Sequence, residues 1–112
     1  MFSHIRMEEE AQADAAILKS LYPARARKIW PQVEDICDRM EYDGSIMFDE
    51  YPDKNLVRRQ VLKIQEGIGN ASNGLENEDE SRSIQELIEM LLYQEMYRRR
   101  QRRRRFQRHF IY

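Results

Sequence analysis

Eight of the eleven residues at positions 98–108 are arginine: Arg98, Arg99, Arg100, Arg102, Arg103, Arg104, Arg105 and Arg108. A guanidinium stays charged, offers carboxylate and phosphate oxygens a planar fork of donors, and stacks on rings. The chemistry open to such a run is recognition of anions. Tyr97, Phe106, His109, Phe110 and Tyr112 are interleaved with it and supply rings that could stack on bases. On a polynucleotide, eight neutralised phosphates would give a log–log salt slope of roughly −6 to −7. On a protein, the same residues would seat on an acidic surface, either of this chain or of a second copy. Docking on an acidic protein surface is the leading expectation. Nucleic acid is the alternative partner, followed by an anionic membrane or another polyanion.

Other groups are weaker candidates. Glu34, Asp38 and Glu41 form an acidic ridge on a helical pattern and are the natural counter-surface for the arginines. As metal ligands they lack a histidine, since His4 and His109 stand at opposite ends of the chain, and a hard cation needs more convergent oxygens. Asp49, Glu50 and Asp53 read as turn and capping residues. Glu95 falls in the apolar sector of its helix, where a carboxylate is costly unless paired. A buried ion pair to Arg99, or to Arg25, Arg27 or Arg58 across helices, is expected there. An enzymatic reading would use Glu95 as an acid of raised pKa, with Asp38 or Glu34. Cys37 lies on an apolar face with no base beside it in sequence, so it reads as a core residue and not a nucleophile. No catalytic residue, cofactor or metal is expected.

The net charge of −1 conceals a division. Residues 1–97 carry 11 Lys and Arg against 20 Asp and Glu, a net −9, whereas residues 98–112 carry +8. Such a dipolar chain either folds its basic end onto its acidic body or a neighbouring copy, or binds a separate polyanion. With 112 residues the chain is one domain by length, with a modest core. The lone cysteine excludes an intramolecular disulfide, there is no apolar run of transmembrane length, and no secretory leader is expected. A reducing cytoplasmic setting is the expectation.

The elements that must position these groups are helical. The first is expected over residues 8–22, with Met7, Ala11, Ala15, Leu18 and Tyr22 on one face, ended by Pro23 and packed loosely. The second, over 23–42, carries Ile29, Val33, Ile36, Cys37 and Met40, with Pro31 positioned to kink or split it. After a turn at Asp43-Gly44-Ser45, Ile46-Met47-Phe48 form an apolar plug. The third helix ends near residue 66 and carries Val57, Val61, Ile64 and Ile68. Residues 69–80, rich in Gly and Asn and then acidic, read as a flexible linker. Ser83-x-x-Glu86 fits a capping box opening the fourth helix, whose stripe is Ile84, Leu87, Ile88, Leu91 and Leu92. Met90, Tyr93 and Tyr97 fall off that stripe, and a helix apolar on two sides is often sandwiched, which points to a homodimer.

Four stretches also resemble a known group: Leu21-Tyr22-Pro23, the Cys37-Asp38-Arg39-Met40-Glu41-Tyr42-x-Gly44-Ser45 segment, Asp49-Glu50-Tyr51-Pro52-Asp53, and the segment from Leu92 through Tyr93, Glu95, Met96 and Tyr97 to Arg100. Together, over roughly residues 20–105, they are similar to a family of short helical proteins from gut clostridia and related spore-forming Firmicutes. That resemblance implies a bacterial, intracellular helical protein and supplies no catalytic residues.

The sequence therefore predicts an all-α bundle of about four helices, the fourth docked on the second and third, with residues 98–112 as a basic extension. Its expected function is that of a non-enzymatic, self-associating interaction module. If instead the arginines serve nucleic acid, the acidic body limits non-specific adhesion.

Overall fold

The computed structural model describes residues 2–69 and 78–111, with side chains described over residues 6–68 and 78–107. It is an all-α bundle of four helices: α1 (Phe2–Ser20), α2 (Ala24–Met40), α3 (Lys54–Gly69) and α4 (Glu78–Ile111). A single 3-10 turn, Ile46–Phe48, lies between α2 and α3, and there is no strand among the described residues. None of the described helices is long and apolar enough to cross a membrane.

The core follows the helical period. Ile29, Val33, Cys37 and Met40 of α2, Val57, Val61 and Ile64 of α3, and Ile84, Ile88, Leu91, Leu92 and Met96 of α4 are buried together. α4 packs against both α2 and α3, as the apolar stripes predict. Met47 plugs one end of the core from the 3-10 turn, with Ile46 and Phe48 partly buried beside it. That plug is held by local backbone chemistry. Gly44 adopts φ +83°, a conformation that side-chain-bearing residues rarely take. Ser45 Oγ then accepts the N–H of Met47 at 3.2 Å. Asp53 caps α3 by accepting the N–H of Asn55 at 2.8 Å.

Three expectations need revision. α2 runs continuously through Pro31, so of the two expected effects, a kink or a split, the split is excluded. The expected linker is shorter than residues 69–80. Gly69 ends α3, and Glu78, Asp79 and Glu80 form the first turn of α4, where the helix dipole favours negative charge. The remaining linker positions, 70–77, lie outside the described residues. The Ser83–Glu86 pair consequently sits inside α4, while Gln65 of α3 donates to the carbonyl and hydroxyl of Ser81 at 3.1 and 2.9 Å near the start of α4.

The packing face of α1 is the third difference. Met7, Ala11 and Leu18 of its expected stripe are exposed, and Ala15 is half-buried. The helix faces the bundle instead through Glu8, Ala15 and Lys19. The Lys19 ammonium lies 4.0 Å from the centroid of the Trp30 ring and 3.6 Å from Glu34. Of the expected stripe only Tyr22, just past the end of α1, packs on the core, edge-on to Trp30 at 6.3 Å between ring centroids; within α1 itself the contacts are chiefly those of charge.

Candidate functional site

α4 is 34 residues long, about 51 Å at 1.5 Å per residue, close to the 53 Å long axis of the molecule. Its first half belongs to the core, and its second half carries the arginines past the C-terminal end of α2. Helical order here sets like charges one turn apart at Arg98/Arg102, Arg99/Arg103 and Arg100/Arg104. Each such pair costs a few tenths of a kcal/mol in isolation, roughly. The carboxylates that offset this cost come from three other parts of the chain.

The 3.6-residue period sorts the arginines onto three faces. Toward α2 and the turn after it, Arg99 Nη1 meets Asp38 Oδ1 at 2.8 Å and Glu41 Oε1 at 3.1 Å. One turn on, Arg102 Nη2 reaches both oxygens of Glu41, at 2.8 and 2.7 Å. Arg103 Nη2 meets Asp43 Oδ1 at 2.7 Å, and its guanidinium carbon stands 4.0 Å from the centroid of the Phe48 ring. An open groove of about 360 Å³ lies along this face, lined by Glu41, Asp43, Phe48, Arg102, Arg103 and Phe106 among others. Toward α1, Arg105 pairs with Glu8, the buried carboxylate of that helix. On the outer face, Arg104 is exposed and Arg100 half-buried, and neither makes an ion pair with a described residue. The Arg108 side chain lies outside the described ones.

Glu95 is the electrostatic centre of α4. Its side chain is 0% exposed, with Arg98 Nε at 2.5 Å from Oε1 and Arg99 Nε at 3.8 Å from Oε2. Among the described residues the cross-helix candidates Arg25, Arg27 and Arg58 form no ion pair with Glu95; its cations come from the next turn of the same helix. Burial disfavours the charge of Arg99, but hydrogen bonding to Asp38 and the nearby Glu95 carboxylate outweigh it, and its pKa rises above the ordinary value. The hydrogen bond that Arg105 donates to the Glu8 carboxylate likewise raises the pKa of Arg105. For Lys19 the balance is reversed. Burial lowers its pKa more than Glu95 and Glu34 raise it.

Of the acids that the sequence singles out, Asp38 and Glu41 meet the arginines, whereas Glu34 turns away to Lys19. Asp43 and Glu8 complete the acidic surface. Sequence periodicity does not reveal them, because Asp43 sits in a turn and Glu8 is 97 positions from Arg105. The turn's closeness to Glu41 is the one available signal for Asp43.

The arginines of this arrangement are placed to pair with carboxylates. Its central carboxylate is enclosed by cations on its own helix. Burial pushes the Cys37 thiol up to about 12, against a weaker lowering by Arg99, so the nucleophilic thiolate is scarce near neutral pH. No three His, Cys, Asp or Glu side chains among the described residues converge to hold a metal. Compared with protein-family models, with curated proteins and with solved structures, the chain matches none.

Proposed function

We propose that the chain is a non-enzymatic helical interaction module that self-associates, with the arginine-rich half of α4 seated on an acidic protein surface, here that of its own body. The observation that carries this reading is the division of labour around α4. Arg99, Arg102, Arg103 and Arg105 are engaged by Asp38, Glu41, Asp43 and Glu8. Met90, Tyr93 and Tyr97 nevertheless remain exposed at 52, 38 and 65% on the same helix. The charge stiffens a helix whose uncovered aromatic face is free to meet a partner. On this reading the protein works in the cytoplasm, where its one buried thiol stays reduced.

A second reading, polynucleotide binding through residues 98–108, is supported by Arg100 and Arg104, which lie near Tyr97 without carboxylate partners among the described residues. Two phosphate contacts correspond to a log–log salt slope of about −2, far below that of eight free arginines. Light scattering and a salt titration with mixed single- and double-stranded polynucleotide, on the full chain and on a truncation ending at Tyr97, separate the two. The interaction-module reading expects a concentration-dependent mass and at most the shallow slope. A slope near −6, lost on truncation, would replace it with the nucleic-acid reading.

A further inference from the structure

The outer face of α4 has an order that exposure alone does not convey. Glu86, Met90, Tyr93, Tyr97, Arg100 and Arg104 follow one another at helical spacing along it. Glu86 and Arg104 are 18 positions apart, five full turns at 3.6 residues each, so they lie on one line about 27 Å apart. Both are exposed, and neither makes an ion pair with a described residue. The stripe is thus acidic at its beginning, aromatic in its middle and basic at its end. The Glu86 end adjoins a groove of about 560 Å³ between α3 and α4, lined by Glu86 and Glu89 together with Lys54, Arg58 and Arg82.

A stripe with this polarity is complementary to itself in one direction only. Laid parallel, two copies oppose Glu86 to Glu86 and Arg104 to Arg104. Laid antiparallel, they form an isologous two-fold contact in which each charged end meets its opposite. Centring the axis at position 95 sets Glu86 against the partner copy's Arg104 position, and Tyr93 against its Tyr97 position, with Met90 beside the long methylene stem at position 100. We infer that a second copy of this chain docks on the outer face of α4, antiparallel across a two-fold axis, with Glu86 of each copy paired to the residue at position 104 of the other. This rests on the self-association reading and names its surface. Glu86 and Arg104, which make no ion pair with a described residue, are the charges that the contact uses.

The test is sedimentation equilibrium of the full chain with Glu86→Arg, Arg104→Glu and both changes together, with far-UV circular dichroism to check that each keeps its helix content. The two positions are exposed, so the fold is expected to persist. Either single reversal opposes like charges twice per dimer and should weaken dimerisation at least about tenfold. The double variant restores opposite signs and should return to within about threefold of the original. A dimer that is indifferent to both single reversals overturns this surface while leaving self-association intact. A chain that is monomeric at every concentration overturns both. Singles that weaken the dimer without rescue by the double variant also sink the antiparallel pairing.

Discussion

A carboxylate with no exposed surface is sustained only by the charges around it, and Glu95 is supplied by Arg98 and Arg99 one turn along its own helix. Replacing it with Gln leaves Arg99 in a nearly closed site with one counter-charge fewer. The expected outcome in urea denaturation is a loss of about 3 kcal/mol. An enzymatic role would show the opposite pattern, an abolished activity in a protein of unchanged stability. Cys37 gives a second prediction at this scale. Its thiol, pushed up from 9.0 to about 12, keeps its proton in the folded chain over a range in which the unfolded chain releases it. Raising the pH through this window therefore favours unfolding. The stability advantage of the native protein over Cys37→Ala should shrink from about pH 9 upward. At pH 8 the thiol should resist alkylation until the protein unfolds, which iodoacetamide labelling along a denaturant series would read directly. Alkylation at the rate of a free thiol in native buffer contradicts the burial.

At the scale of the elements, α2, α3 and α4 were legible because their partners are apolar: a stripe repeating every 3.6 residues states both the helix and its buried face. Glu95 was legible for the same reason, as a charge at a position that the stripe reserves for the core. α1 was legible as a helix but its packing face was not, because Glu8 and Lys19 attach it through pairs whose other halves, Arg105 and Glu34, lie on other elements. Hydrophobic periodicity carries no information about such a contact. The boundary of α4 was misplaced because an acidic run looks equally like a solvated linker and like a well-placed first turn. These differences have consequences for stability. Most helical stability in proteins comes from tertiary contacts, so α1 depends on its charged ones. Arg105→Gln should lower amide protection within α1 in hydrogen exchange while leaving the buried segments of α2 and α3 at their original protection. Equal loss across all helices would mean that α1 is part of the cooperative core. Pro31, exposed inside α2, offers the converse test. Pro31→Ala restores a helix hydrogen bond and should raise stability by up to about 3 kcal/mol, read as a higher urea midpoint.

For the whole molecule, the division between a body of −9 and an end of +8 becomes an internal clamp, in which the same α4 that fills the core also neutralises the surface beside it. This makes the sign of the salt effect diagnostic. In the full chain, added salt screens attractions that are partly exposed, Arg102–Glu41 and Arg103–Asp43 among them, and stability should fall modestly between 0.05 and 1 M, roughly the range over which the Debye length contracts from above 10 Å to 3 Å. A truncation ending at Tyr97 keeps the body and loses every arginine that faces Asp38, Glu41, Asp43 and Glu8. What remains is a strongly acidic bundle under self-repulsion. Its melting temperature should be lower at low salt and should rise as salt is added. Opposite salt slopes for the two forms would identify the arginines as the counter-charge of this body. Parallel slopes would assign the residues beyond Tyr97 no part in its stability, and would return them to the service of an external polyanion.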